Sequence, residues 1–495
     1  MGTSAVTVVE ILAILVLLQS ALFCCSGANF NGSCIKIERE ALVKFKTSLS
    51  INSSDSLPSW EGDDCCRWEE VTCENITGHV VKLDLSWASV QGKVSLHLGN
   101  LSNLQYLDLS SNNGLAIDSL HFPSSLKYLN MRSVLLDKCD NWLQSINMLP
   151  FLLESDLSSC GLSITGHVSH VNLTSLEVLT LSWNNFNSTI PNWLFNITNL
   201  QHLDLSYSAF RGSLSTEMGN LNSLAFLDLS YNSLEGKIPK TLNKLCNLSE
   251  LHLESNKFSG EISGPFGNSS SCIQNSLENL NLFNNSFSGS LPNNLGQFKC
   301  LKYLLLSRNS FCGPIPVSIG QLYNLDVFGN LPNLREFNTS SEAGIPDPMA
   351  ISRQLESLET LDLSMNAFDG FIPSWIGESL SLLKVLNVHS NKFEGEIPLQ
   401  LCSLASLQIL NLANNMMTGT IPTCFGGFTA IVMHENRGLW DYQVSYILMF
   451  ILKKIAMDSR LLETAADVEQ NLNKAQPRIR WSPSSPRHEM FWIVQ

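Results

Sequence analysis

Leu221 to Pro239 reads LNSLAFLDLSYNSLEGKIP, and its spacing of leucines, asparagine, glycine and Ile-Pro returns along much of the chain. Its strand leucine, Leu227, aligns with Leu179, Leu203 and Leu251 at steps of 24 residues. A fixed period of this size marks a repeat architecture, in which each unit adds one short strand and one return segment to a stack sharing a continuous core. Length therefore overcounts domains, and the 495 residues are expected to form one long domain.

Working outward, strand leucines follow at Leu83, Leu107, Leu129, Leu179, Leu203, Leu227, Leu251, Leu280, Leu304, Leu361, Leu386 and Leu410. The leucines of each LxLxxN core point inward and the residues between them outward, because strand side chains alternate with a period of two. Asn112, Asn184, Asn232, Asn256, Asn285, Asn309, Asn366, Asn391 and Asn415 end the strands. An inward-pointing amide is costly unless bonded, so each should bond loop backbone in its own and the adjacent repeat. An apolar residue and then Gly-x-Ile-Pro follow, as at Gly236–Pro239, Gly313–Pro316, Gly370–Pro373, Gly395–Pro398 and Gly419–Pro422. Glycine permits the bend and proline fixes the extended exit.

This LxGxIP form resembles the plant-specific class of leucine-rich repeat. The resemblance implies an α/β repeat solenoid, a superhelix with a concave parallel β-sheet. Two stretches depart from the period. Leu129 follows Leu107 after 22 residues, Ser155 stands in a strand-leucine position and Cys160 replaces an asparagine. Leu304 to Leu361 is a step of 57 residues, in which Leu322, Leu325 and Phe328 are in phase. Lost repeats or an inserted functional loop would both produce that gap.

Ahead of the repeats, Ile37, Ala41, Leu42, Phe45 and Leu49 have helical spacing. Cys34, the Leu57-Pro58-Ser59-Trp60 turn, Cys65-Cys66, Trp68, Val71 and Cys73 resemble the N-terminal domain of plant leucine-rich-repeat receptors and inhibitors. Spacing alone leaves three pairings of four cysteines. The resemblance implies Cys34 with Cys65 and Cys66 with Cys73, a disulfide-stapled helical cap over the open end of the core. Glu70 stands where the family usually has glycine. Metal binding is the competing reading of the cysteines, and no metal or cofactor is expected in a secreted chain.

The address is read from both composition and termini. Ile11 to Leu18 is an apolar run followed by small residues at Ser26, Gly27 and Ala28, the outline of a secretory signal peptide. Fourteen cysteines suit an oxidising compartment. Asn-x-Ser/Thr sequons occur at Asn31, Asn52, Asn75, Asn100, Asn172, Asn187, Asn196, Asn247, Asn268, Asn284 and Asn338, a density that points to a glycoprotein. A net charge of -14 argues against a nucleic-acid binder. The domain reading is 1–28 signal peptide, 29–79 cap, 80–425 repeats, irregular at 115–170 and 320–355, and 426–495 a divergent C-terminal segment. In that segment Arg460 to Asn473 has amphipathic helical spacing, and YILMFIL, 446–452, is too short to span a bilayer. The array thus reads as stopping before a C-terminal cap and a membrane span.

No protease, hydrolase, P-loop or kinase motif is present, so an enzyme is not expected and function falls to a binding surface. On the outward face, the position before the ladder residue carries Trp183, Tyr207 and Tyr231 in consecutive repeats, beside Thr180, Asp204, Asp228 and His252. Aromatics in register suit stacking on a sugar or packing on a peptide, although they also pack on each other across strands. The whole pattern resembles the ectodomain of a plant receptor-like protein, a kinase-less cell-surface receptor. That resemblance implies recognition of an extracellular peptide, protein or glycan in defence or development, with signalling through a co-receptor kinase. A secreted inhibitor of microbial cell-wall hydrolases, resembling polygalacturonase-inhibiting proteins, and a truncated decoy or non-functional paralogue are the other readings.

Overall fold

The computed structural model describes residues 33–49, 57–94, 96–163, 171–267, 271–314, 316, 318, 327–328 and 360–427. The expected signal peptide, the sequons at Asn31, Asn52, Asn268 and Asn338, and the segments 446–452 and 460–473 lie outside the described residues. The chain divides into two compact units, Met1–Asn184 and Asn185–Gln495. The division falls just after the irregular repeats, where the uniform spacing takes over.

In the N-terminal unit, helix α1 (Lys36–Ser48) turns Ala41, Leu42 and Phe45 inward, whereas Ile37 is 64% exposed. The carboxylate of Glu38 takes the inner place beside them. It accepts the Val80 N–H at 2.7 Å and lies 2.9 Å from His79 Nδ1. Sequence spacing put Ile37 on the buried stripe; the bonds available to Glu38 instead rotate the helix so that a charged residue docks on the first repeat. Phe45, Trp60 and Trp68 pack in series at 6.2 and 5.3 Å. Cys34 is bonded to Cys65 and Cys66 to Cys73. Glu70 has φ of 64°, supplying the left-handed turn usually left to glycine.

Strand β1 (Val71–Cys73) pairs antiparallel with β2 (Val80–Asp84), and β3 (Tyr106–Asp108), β4 (Tyr128–Asn130), β5 (Glu154–Asp156) and β6 (Val178–Thr180) follow in parallel. Ser155 sits opposite Leu129 and Leu179, so the irregular repeat keeps its register despite the lost leucine. Cys160, fully buried in the ladder position, is held by Met131 O at 3.1 Å from its Sγ.

The second unit stacks β7 (His202–Asp204), β8 (Phe226–Asp228), β9 (Glu250–His252), β10 (Asn279–Asn281), β11 (Tyr303–Leu305), β12 (Val327–Phe328), β13 (Thr360–Asp362), β14 (Val385–Asn387) and β15 (Ile409–Asn411), with every pairing parallel. On the return side, segments from Arg211–Ser213 to Met416–Met417 form a second parallel sheet. Gly236 ends one of these segments with φ of 81°, a turn that a Cβ would strain. Between the layers Phe258, Phe287, Phe311, Phe368 and Phe393 stack at 6.1 to 6.5 Å, one per repeat.

The 57-residue step is bridged in two ways. Phe328 pairs with Leu304 on one side and Leu361 on the other, so it fills a strand-leucine position. Beyond that strand the ladder closes directly, with Arg308 N donating to Ser364 O and Asn366 Nδ2 to Leu306 O. Among the described residues this degenerate repeat contributes a strand, and the ladder passes from Asn309 to Asn366. Residues 329–359 lie outside the described residues.

Candidate functional site

The asparagine ladder builds the frame. Asn232 Nδ2 donates to Leu205 O at 2.9 Å, Leu229 O at 3.0 Å and Ser230 O at 3.1 Å, while its Oδ1 accepts from Ser208 N and Phe210 N. Each residue just before the ladder position is left-handed, with φ of 58° at Trp183, 51° at Tyr207 and 53° at Tyr231. Tyr207 N–H bonds Ser230 O and Tyr231 N–H bonds Glu254 O, each a carbonyl of the next repeat. Bulky residues rarely adopt this conformation, but here backbone bonds impose it.

Of the expected contact residues, Tyr207 and Tyr231 come together, their rings stacked with centroids 4.1 Å apart and 10° between planes. Both remain part-exposed, at 37% and 44%. Trp183 belongs to the N-terminal unit, where it is 58% exposed. Asp204 and Asp228 share the strand face with the tyrosines, and each accepts through Oδ1 the N–H of the serine two residues on, at 2.9 and 2.8 Å. The same turn recurs at Asp108 and Asp362, so part of this acidic row serves the backbone.

His252 breaks the row. Its Nε2 is 3.2 Å from Glu250 Oε2, its Nδ1 is 3.9 Å from Glu254, and its ring lies 5.5 Å from Phe226. Burial opposes protonation of His252, but Glu250, Glu254 and Asp228 outweigh it and raise its pKa. Burial raises Asp228 and pushes Glu254 up to about 7. Glu254 Oε2 is buried and accepts no hydrogen bond among the described residues. For Tyr207, burial and the neighbouring Tyr231 push the hydroxyl up to about 12.

The sequence reading missed Glu250, Glu254 and the stack of His202 on Phe226 at 4.1 Å. It also missed a second aromatic pair, Tyr106 on Tyr128 at 4.2 Å with Lys82 Nζ over the Tyr106 ring. A signal was available: Lys82, Tyr106, Tyr128 and Glu154, like His202, Phe226 and Glu250, occupy the outward position just before the strand leucine. Among the described residues, the one group of three or more potential metal ligands close enough to share an ion is Cys34, Cys65 and Cys66, whose sulfurs are in disulfides. The exposed sequon residues are Asn75, Asn100, Asn172, Asn187, Asn196, Asn247 and Asn284.

Stacked strands, an asparagine ladder and a stapled cap define a repeat protein, and the chain belongs to the leucine-rich-repeat family. Residues 156–468 match the family described as leucine-rich repeat region and residues 36–74 the leucine rich repeat N-terminal domain. Among particular proteins, it is similar to Receptor-like protein EIX1 of Solanum lycopersicum, 30% identical over 253 residues, 36% of this chain and 24% of that one. Receptor-like protein 9DC1 of Solanum pimpinellifolium is 34% identical over 195 residues, 34% of this chain and 22% of that one. The chain therefore spans about a quarter of the length of these relatives. The crystal structure of a TDR receptor superposes with a TM-score of 0.51 and 29% identity, covering 72% of this chain and 63% of that one. No helix of the described residues is long and apolar enough to cross a membrane.

Proposed function

We propose that this chain is an extracellular recognition module of the receptor-like kind, which binds a peptide, protein or glycan on the outward face of its strands. Signalling then passes through a partner receptor kinase at the cell surface. The observation that carries the reading is the part-exposed Tyr207–Tyr231 stack beside Asp204, Asp228 and His252 on β7 to β9. Aromatic area next to charge is the composition of binding hot spots. Similarity to receptor-like proteins supports the cell-surface setting. Trp183 and the sequons Asn31, Asn52, Asn75, Asn100, Asn172, Asn187, Asn196, Asn247, Asn268, Asn284 and Asn338 complete the proposal as a further contact and as glycan sites.

The test is a panel of defined extracellular peptides and oligosaccharides bound to the secreted chain. Trp183→Ala, Tyr207→Ala and Tyr231→Ala should each be secreted normally and bind the recognised probe at least about tenfold more weakly, the loss of one modest hot spot. Undiminished binding in all three would remove the face from the function.

A further inference from the structure

The column of left-handed positions continues past Tyr231 with Ser255, Asn284 and Arg308, at φ of 55°, 55° and 57°. Tyr231 N donates to Glu254 O, Ser255 N to Phe283 O and Asn284 N to Ser307 O, so these residues stand on successive repeats. One of them is chemically marked. Asn284-Asn285-Ser286 is an N-glycosylation sequon in which Asn284 and Ser286 are exposed and Asn285 is the ladder residue. Asn196 and Asn247, by contrast, lie on the return side, in or just after the short helices Asn192–Asn196 and Lys240–Lys244.

Two contacts turn the Asn284 amide toward the tyrosines. Its Nδ2 donates to Ser255 Oγ at 3.1 Å, while on the following repeat the Arg308 guanidinium lies over the Phe283 ring, 5.6 Å from its centroid. Nδ2 is the atom that carries an N-linked sugar, and its second hydrogen can still serve Ser255. Tyr207 covers one face of the Tyr231 ring. On the other side of Tyr231 the column offers only Ser255, and the tyrosine stays 44% exposed. Two strand spacings, about 10 Å, separate Tyr231 from Asn284. The gap above the serine suits a pyranose, whose C–H face packs on an aromatic ring while its hydroxyls stay in water. Tethering at Asn284 gives this weak contact a high effective concentration.

We propose that Asn284 carries an N-glycan whose first N-acetylglucosamine lies over Ser255 against the open face of Tyr231, closing the recognition face on its C-terminal side. This rests on Asn284 being one of the glycan sites, and not on the identity of the ligand. In the transfer, Nδ2 bonds the anomeric carbon of the sugar and gives up one proton. The bond from that carbon to the pyrophosphate of a lipid-linked oligosaccharide donor breaks, and the lipid pyrophosphate leaves with the electron pair; nothing is oxidised or reduced.

The full chain secreted from eukaryotic cells is the test material. Glycopeptide mass spectrometry reads occupancy of Asn284, and hydroxyl-radical footprinting, resolved by residue, reads access to Tyr231 with Tyr106 as internal reference. Ser286→Ala removes the sequon without touching Asn284, and Tyr231 oxidation should then rise at least about twofold, because the sugar covers the ring face that Tyr207 leaves open. Ser286→Thr keeps the sequon and should match the native chain, as should Thr198→Ala, which removes the sequon of Asn196 on the return side. On the folded native chain, an endoglycosidase that leaves the first sugar should keep Tyr231 protected, and an amidase that removes the whole glycan should expose it. An unoccupied Asn284 overturns the proposal and leaves the tyrosine face as a binding surface untouched. Occupied Asn284 with equal Tyr231 oxidation in the native and Ser286→Ala chains overturns the docked sugar, as does exposure of Tyr231 on trimming to the first sugar. A rise at Tyr106 as large as that at Tyr231 also overturns it, since the variant then loosens the chain at large.

Discussion

Replacing Asn232 with alanine tests whether the ladder holds the repeats in place. Five bonds disappear, three donated and two accepted. Their neighbours do not suffer equally. Leu229 O keeps the Asn256 amide at 2.8 Å, and Ser230 O keeps the Tyr207 N–H. Leu205 O, Ser208 N and Phe210 N each lose a bond that no other ladder residue supplies. Three such bonds at ~1 kcal/mol each amount to about 3 kcal/mol, in a protein whose net stability is of order 10. Urea unfolding followed by tryptophan fluorescence reads the global loss. Hydrogen exchange reads the local one, and protection of the Phe210 amide should fall by about two orders of magnitude. The exposed neighbour position, Asn185→Ala, serves as control and should shift stability by less than ~0.5 kcal/mol. If Asn232→Ala unfolds like that control with Phe210 still protected, the ladder bonds are not what joins one repeat to the next.

Glu254 sets a pH dependence. Its folded pKa of about 7 lies above the ordinary 4.5, so between those values the folded chain holds a proton that the unfolded chain has released. The stability of the native protein relative to Glu254→Gln should therefore fall as pH rises from 4.5 to 7; urea midpoints at about pH 5, 6 and 7 check this, and a difference that is flat or rising refutes it. In the cap, Glu38→Ala strands the Val80 N–H and frees His79, at about 3 kcal/mol for a buried charged acceptor. Limited proteolysis should then release α1 ahead of the repeats, and an unchanged digestion pattern would show that the cap is held by its disulfides and tryptophans alone.

The repeat fold was legible because most units repeat the same inward leucines, ladder residue and glycine, and a period repeated this often leaves little room for another architecture. Register survived even where chemistry did not, as at Ser155, since the flanking strands impose it. Two disulfides, Cys246–Cys272 and Cys402–Cys424, were not read from the sequence, although their separations of 26 and 22 residues are close to one period. One period along the chain is one step across the stack, which is the distance a disulfide spans. The outward aim of Asp204 and Asp228 was readable from alternation, whereas the aromatic column is exposed by the left-handed turn before the ladder residue, which breaks the alternation. The turning of Tyr207 onto Tyr231, and the burial that lifts Glu254, depend on side-chain packing that no local pattern encodes.

The left-handed position before each ladder residue has a wider consequence. Trp87, Ser111, Tyr231, Arg308 and Met365 all hold φ between 53° and 59°, whatever the side chain. The conformation is fixed by amide bonds to the following repeat, as from Ser111 to Arg132 O and from Met365 to His389 O. Direction is thereby separated from content. Each repeat offers one socket of constant aim whose occupant can change from serine to tryptophan without renegotiating the fold, so specificity can diversify at these sites while the scaffold stays under independent constraint.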